Sequence, residues 1–576
     1  MYAHAHCGVP AFPHMQVADA VGDENCSTWI GMLADRMRAT DWEERDTAEH
    51  MLCSLLCLPP HLLHAVLTSC IEDMSVSSLL DMLPAALHSE CISAAISVQT
   101  GDLDLFELEG YGLDKTLMHL RTAAPPPPGL ISLCHCDNDY NYEEPSFTPA
   151  TSAFLARALA AHTTLQKLDL MTVRLDAEWL TSFSLCLATI TLPQLTSLEI
   201  DIQAAGGGCA ALARCLKHLP TLHELHVGLL LNEPPPSHPG QSALTVFAGP
   251  AACPATLSHL EKLAFYEIDL LHQGEIHDGG SPRGSCILQL LPLFTAPALS
   301  TVSLMSDAGS ISHSGLVAAL AVFPALRTVD IEGSPHSFGS EALTRPGEHM
   351  TSLKALCFRN RSGEVSLKLA AMMVRHASAS LTSLHLNPSA RSHASSPRLL
   401  SDGWDTLLGS LAACNQLQSL HLGSLHGMSA AAGAPAAVLM IKTFEHLTGL
   451  TELCLGRPGA YLGREGRTRA CSVGPLCGEQ LARALRCVPR LERLSLEPWA
   501  GIDLQGHKAQ AVLDACVELP CLRELELKYH GFEIGQIATA LTKLRALTLL
   551  ELSGARGADA GVVAALRAQF PGVTMR

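Results

Sequence analysis

The chain has 576 residues, of which 48% are hydrophobic and 16% charged, and it carries a formal net charge of −18. So apolar a composition with so few charges excludes a mostly disordered chain, and no apolar run reaches the roughly 18 residues of a membrane-spanning helix. Length by itself would accommodate roughly four domains of about 150 residues each.

The opening stretch, MYAHAHCGVPAFPHM, lacks the basic-then-apolar layout of a secretory leader. The 21 cysteines are odd in number and include no C-x-x-C pair, so they read as reduced, buried, small hydrophobes. A cytoplasmic or nuclear location is the expectation, with residues 1–26 disordered. The charge is unevenly spread: residues 1–165 hold 22 acids against 6 bases, and the remaining 411 hold 34 against 32. An acidic first quarter argues against that part wrapping nucleic acid, because phosphate binding needs Lys and Arg.

Residues 27–125 read as an acidic helical cap. Ile30, Leu33, Ala34 and Met37 fall at i, i+3, i+4 and i+7, and a second apolar pattern runs from Leu52 to Leu67. LDLFELEG at 103–110 has the form of a degenerate repeat, and APPPPG at 124–129 predicts a stiff junction.

Over residues 126–576 a single pattern dominates. L-x-x-L-x-L first occurs at Leu130, with His135 in its sixth place, and recurs from Leu165, Leu195, Leu222, Leu260, Leu299, Leu326, Leu353, Leu381, Leu417, Leu450, Leu491, Leu522 and Leu547, before a stub at Val573. The spacings run from 25 to 41 residues. Each motif alternates inward Leu with outward polar residues, the period of a strand. Helical spacings lie between motifs: Leu212, Cys215, Leu216 and Leu219 form one, Ile534, Ile537, Ala538 and Leu541 another. Pro193, Pro220, Pro297, Pro324, Pro489 and Pro520 each precede a motif by two residues, which predicts a helix stop and an extended entry to the strand. One such unit cannot bury its Leu face alone, so neighbours must stack.

These residues resemble the leucine-rich-repeat superfamily, in the helix-containing class typified by ribonuclease inhibitor. The resemblance implies an α/β fold, a leucine-rich-repeat solenoid with an N-terminal α-helical cap region. It departs from that class at the ninth place of each repeat. Asn138 fits, but Val173, Gln203, Leu230, Ile268, Pro458 and Trp499 stand where Asn or Cys is usual. An irregular horseshoe is therefore expected.

Within the cap, Leu58-Pro59-Pro60-His61-Leu62-Leu63-His64-Ala65-Val66-Leu67 is similar to the start of an F-box. That resemblance implies Leu58, Pro59, Leu62, Leu63, Val66 and Leu67 as contacts to a Skp-type adaptor of a cullin ubiquitin ligase. The match covers about ten residues, and a helical cap beginning with Pro in its first turn explains them equally.

Other constellations fail on geometry. His223 and His226 stand three apart on a predicted strand and face oppositely, whereas the zinc-protease pair needs two His four apart on a helix. Cys134, His135, Cys136 and Asp137 alternate in direction and have no second ligand cluster. There is no Gly-Lys phosphate loop and no G-x-S-x-G elbow. No cofactor, metal or small-molecule substrate is expected, and the chain reads as non-catalytic.

The long insertions, at 231–241, 271–285, 387–398, 423–436 and 456–478, all follow a motif and so share one rim. Arg391, Arg398, Arg457, Arg464, Arg467 and Arg469 lie in them, with Arg359, Arg361, Trp499 and Tyr529 nearby. Arg with Tyr and Trp is the composition of binding hot spots. The third and fifth motif places run Lys167/Asp169, Ser197/Glu199, Glu224/His226, Ser383/His385, Ser419/His421, Arg493/Ser495 and Glu524/Glu526. A polar face of no single sign suits protein recognition rather than nucleic acid. The expectation is a scaffold that binds a protein partner along its concave face and insertion rim, or alternatively an F-box-type substrate receptor.

Overall fold

The structure, a computed structural model, describes residues 60–71, 75–83, 85–105, 113–123, 129–135, 149–203, 207–231, 255–269, 287–306, 313–333, 350–360, 367–388, 403–423, 434–456, 476–496, 502–504, 506–528, 531–552 and 560–576. The chain divides into two compact units, Met1–Asp201 and Ile202–Arg576.

The first unit begins with helices α1 (Pro60–Ile71), α2 (Val76–Met82) and α3 (His88–Val98). Pro60 opens α1, where a missing N–H is no loss. Ser75 caps α2 by accepting the Ser78 N–H. Leu63, Val66, Leu67 and Cys70 form the buried stripe of α1, which packs against α3 and its buried Cys91, Ile92, Ala95 and Ile96. Strand β1 (Asp102–Asp104) follows a sharp turn through Thr100 and Gly101, with φ of 54° and 98°. A Cβ on Gly101 would come within 2.7 Å of the Gly129 carbonyl, so only glycine fits there. Then come α4 (Leu113–Thr122), β2 (Ser132–Cys134), α5 (Pro149–Ala161), β3 (Lys167–Leu175), α6 (Ala177–Leu187) and β4 (Ser197–Gln203). The strands follow chain order, β1–β2 and β2–β3 parallel, with Leu103, Leu133 and Leu168 in one row. The first two residues of the degenerate repeat, Leu103 and Asp104, thus lie in a strand paired in register with β2, while 106–110 lie outside the described residues.

The second unit repeats this plan. Its strands are β5 (Glu224–Leu231), β6 (Lys262–Asp269), β7 (Thr301–Ser306), β8 (Thr328–Gly333), β9 (Ala355–Asn360), β10 (Ser383–Pro388), β11 (Ser419–Leu422), β12 (Glu452–Leu455), β13 (Arg493–Leu496), β14 (Glu524–Leu527), β15 (Leu549–Glu551) and β16 (Thr574–Met575). Each pairs in parallel with the next. Between them lie α7 (Gly208–Leu216), α8 (Ile287–Leu290), α9 (His313–Ala321), α10 (Leu367–Ala377), α11 (Trp404–Leu411), α12 (Ala434–His446), α13 (Gly478–Arg486), α14 (His507–Val517), α15 (Ile534–Leu541) and α16 (Ala560–Gln569). From α10 to α15 successive helices pack on one another.

The motif dictates this geometry residue by residue. Leu at the first and fourth places and Leu or Phe at the sixth are buried, as in Leu353, Leu356 and Phe358. Each contributes roughly 1.5–3 kcal/mol of burial, so a stacked Leu core holds without metal or disulfide. The second and third residues both donate their N–H to one carbonyl of the preceding repeat. Lys354 and Ala355 reach Arg327 O at 2.7 and 2.9 Å, and Thr382 and Ser383 reach Lys354 O at 2.8 and 2.9 Å. Where the second residue is Thr, its hydroxyl donates to the same carbonyl, at 3.0 Å for Thr382 and 3.1 Å for Thr451 and Thr548. Each hydroxyl is thus a third donor to a carbonyl that already accepts two N–H groups.

Three details differ from the sequence reading. The pre-motif prolines sit in a tight turn, not an extended entry: Leu195 N bonds Leu192 O and Leu522 N bonds Leu519 O, placing Pro193 and Pro520 at its second position. In four repeats without the ninth-place Asn, those from Leu165, Leu195, Leu222 and Leu260, the strand runs on through that place, whereas β12 and β13 end at Leu455 and Leu496. β3 carries a buried Val173 and β5 a buried Leu230. Parts of the anticipated insertions are regular structure: 387–388 end β10, 434–436 begin α12, and Leu476–Cys477 pair with Ile502–Asp503.

Candidate interaction surface

The strand period that buries Leu turns the third and fifth residues to the open side of the sheet, where the register lines them up. Across β7 to β15 the third places read Thr301, Thr328, Ala355, Ser383, Ser419, Glu452, Arg493, Glu524 and Leu549. The fifth places read Ser303, Asp330, Cys357, His385, His421, Cys454, Ser495, Glu526 and Glu551. Cross-strand neighbours in such rows interact directly.

Three groups stand out in the second unit. At β8–β9, Arg359 Nη2 lies 3.1 Å from Asp330 Oδ2. Burial pushes the Asp330 carboxyl up against the pull of Arg359, and its Oδ1 is buried with no hydrogen-bond partner. Burial likewise raises the adjacent Cys357 thiol to about 11. At β10–β11 the rings of His385 and His421 stack, centroids 3.9 Å apart and planes 16° apart. Burial first, then His421 and Arg359, push His385 down to about 4, so it is neutral at pH 7.

The third group starts at Glu452, whose Oε2 accepts the Ser419 hydroxyl at 2.8 Å. Its Oε1 lies 3.3 Å from His421 Nε2 and 3.4 Å from Arg493 Nη1. Arg493 also reaches Glu524 at 3.5 Å and Glu526 at 2.7 Å. Lys528 sits 3.4 Å from both Glu526 and Glu551. Burial raises Glu452 and Glu526, but Ser419, His421 and Arg493 around the first and Arg493, Ser495 and Lys528 around the second overcome it. Both carboxyls lie below their ordinary range and are ionised at neutral pH. Four carboxylates thus share two cations.

The first unit holds a smaller cluster. Lys167 Nζ bridges Asp169 Oδ2 at 3.2 Å and Glu199 Oε1 at 2.9 Å. Asp201 is only 2% exposed and its Oδ1 has no hydrogen-bond partner. Burial, with the nearby Asp169 charge, lifts its carboxyl to about 8.

Of the residues anticipated for partner binding, Arg359 lies in the open-face network. Arg361, Arg391, Arg398, Arg457, Arg464, Arg467, Arg469, Trp499 and Tyr529 lie outside the described residues, as do Leu58 and Pro59 from the F-box-like stretch. Leu62 is in α1, where Leu63, Val66 and Leu67 are buried in the chain's own packing. Asp330, Glu452, Lys528 and Glu551 were missed by the sequence reading, although the first, second and last occupy third or fifth places of recognised motifs.

His223 places Nδ1 2.8 Å from Thr221 O and stacks on His259, while His226 meets Tyr266 edge-on. Cys134 Sγ lies 3.7 Å from Leu103 O, and His135 is buried. Among the described residues no three His, Cys, Asp or Glu side chains are placed to hold a metal ion. Burial lifts Cys91, Cys209, Cys414 and Cys516 to about 12. Such thiols are packing residues, not nucleophiles. No described helix is long and apolar enough to cross a membrane.

No family model and no curated protein matches the chain. Among solved structures, one is the crystal structure of a TLR13–ssRNA13 complex, 14% identical, covering 76% of this chain and 59% of that one, with a TM-score of 0.30. This chain thus spans under two thirds of that protein's length. Another is the leucine-rich repeat-containing protein LegL7 from Legionella pneumophila, 16% identical, covering 59% of this chain and 96% of that one, with a TM-score of 0.29. The in-register L-x-x-L-x-L strands and the helices between them define the fold as an α/β leucine-rich-repeat solenoid.

Proposed function

We propose that the chain is a non-catalytic scaffold that binds a protein partner through the open strand face of its second unit and the Arg-bearing insertions. The observation that carries this reading is the row from Glu452 to Glu551. The core closes on the Leu positions alone and does not require charges on that face. An exposed pair such as Arg493–Glu524 contributes at most about 1 kcal/mol, and the half-buried pairs around Glu526 and Glu551 lose much of their attraction to desolvation, so stability gives little reason to gather six charged side chains on neighbouring strands. Ionised groups held in fixed register supply orientation and partner discrimination instead. On this face burial lifts the Cys357 thiol to about 11, so it stays protonated at neutral pH and is a poor nucleophile.

Site-specific photocrosslinking tests the proposal. A benzophenone amino acid replaces Ser419 on the open face or Val438, a 50% exposed residue of α12. The same cellular protein should be captured from position 419 and not from 438, and should be lost when Glu524→Lys is added. Capture from 438 alone, or capture indifferent to Glu524→Lys, refutes the reading.

A further inference from the structure

The His385–His421 stack lies midway along the open face, where the acidic row begins. Its surroundings are unequal. From β9 it is faced by Cys357 and the Arg359 guanidinium, from β12 by Glu452 and Cys454, and beyond these by Arg493 on β13 and Asp330 on β8. Parallel imidazoles 3.9 Å apart cannot both carry a proton without strong repulsion. The carboxylate that would hold the proton stands 3.3 Å from His421 Nε2, an atom that is buried and otherwise has no hydrogen-bond partner. The cation nearest the other ring is Arg359, which repels a charge on His385.

We propose that the His385–His421 stack is a one-proton element: on acidification only one ring takes a proton, His421 against Glu452, and that proton resets the charge of the open face. Glu452, Glu524, Glu526 and Glu551 set against Arg493 and Lys528 leave that row two negative charges in excess; one proton halves the excess. Burial holds His385 neutral down to about pH 4, so the second ring stays uncharged throughout. Any effect of this proton on a bound partner rests on the reading of the face as a partner surface, but the proton itself can be measured without one.

The experiment is residue-resolved hydrogen–deuterium exchange at the imidazole C2 positions of the full chain, followed by mass spectrometry between pH 4 and 8. In the wild type, His421 should gain its proton at a higher pH than His385, which stays unprotonated above pH 5. In His421→Asn, the His385 midpoint should rise by about one pH unit, because its like-charged neighbour is gone. In Glu452→Gln, His421 should need a lower pH, which a merely structural stack would not show. Equal midpoints for the two rings, a proton on His385 in place of His421, or a His385 midpoint unmoved by His421→Asn would overturn the proposal. Because no partner enters this measurement, its failure is separable from failure of the crosslinking test.

Discussion

Asp201 provides the sharpest test of the energetics, through the substitution Asp201→Asn. The side chain is 2% exposed, lacks a partner for Oδ1, and has its carboxyl lifted to about 8 by burial and the Asp169 charge. Below about pH 4 the group is protonated in both folded and unfolded chains, and its contribution to stability is fully present. Between about pH 4 and pH 8 the folded state keeps the proton and the unfolded state releases it. Stability then falls with rising pH at up to about 1.4 kcal/mol per unit. Four units give about 5 kcal/mol, a ceiling because Asp169 titrates in the same cluster. An amide cannot ionise, so Asp201→Asn removes this slope. Its N–H₂ adds donors at a buried group whose Oδ1 has no hydrogen-bond partner, at a cost of about 1–3 kcal/mol. Urea unfolding at a series of pH values should therefore give crossing curves, with the wild type more stable at pH 5 and the variant more stable at pH 8.5. Parallel curves would refute a buried, protonated Asp201.

Substitutions at four more positions probe the packing. Gly478→Ala would put a Cβ 2.2 Å from the Lys508 carbonyl oxygen and should lower stability by about 1–3 kcal/mol in urea unfolding. Gly535→Ala meets nothing within 4 Å near the start of α15 and should instead raise it, by up to about 1 kcal/mol; the same sign for both would contradict the close approach at Gly478. Phe444→Ala empties a fully buried site in α12 and should cost about 3–5 kcal/mol, read from the same unfolding curves. Ser380→Ala removes a buried hydroxyl that lies 2.8 Å from Leu353 O and 3.2 Å from Met350 O. A loss of about 1–3 kcal/mol is expected, with Ser380→Thr milder than Ala.

Much of the fold is legible in the chain because burial enforces a repeating unit. Leu353, Leu356 and Phe358 must face one way, so Ala355 and Cys357 must face the other, and the same holds for each copy. The helices were less legible in their faces: in α15 the buried residues are Ile537, Ala540 and Leu541, whereas the periodicity had chosen Ala538. Small residues fit either side of a helix, and the neighbouring helix decides between them. The interaction surface was legible in its positions and not in its pairing. Asp330 meets Arg359 and Arg493 meets Glu452, Glu524 and Glu526 across gaps of 29 to 41 residues. Nothing in those gaps announces which charges become neighbours.

The sequence alone determined the repeat, its inward and outward residues, and an uneven charge of −18 whose acids crowd the first quarter. Local physics suffices for these, since a period of two fixes direction and a recurring motif fixes stacking. Tertiary structure decided the rest: that the pre-motif prolines sit in turns, that strands run through Val173 and Leu230, that Asp201 holds a proton, and that His385 stacks on His421. Each of these depends on what another repeat places within a few ångströms. Desolvation and Coulomb energy follow distance in space, which the order of residues along the chain does not encode.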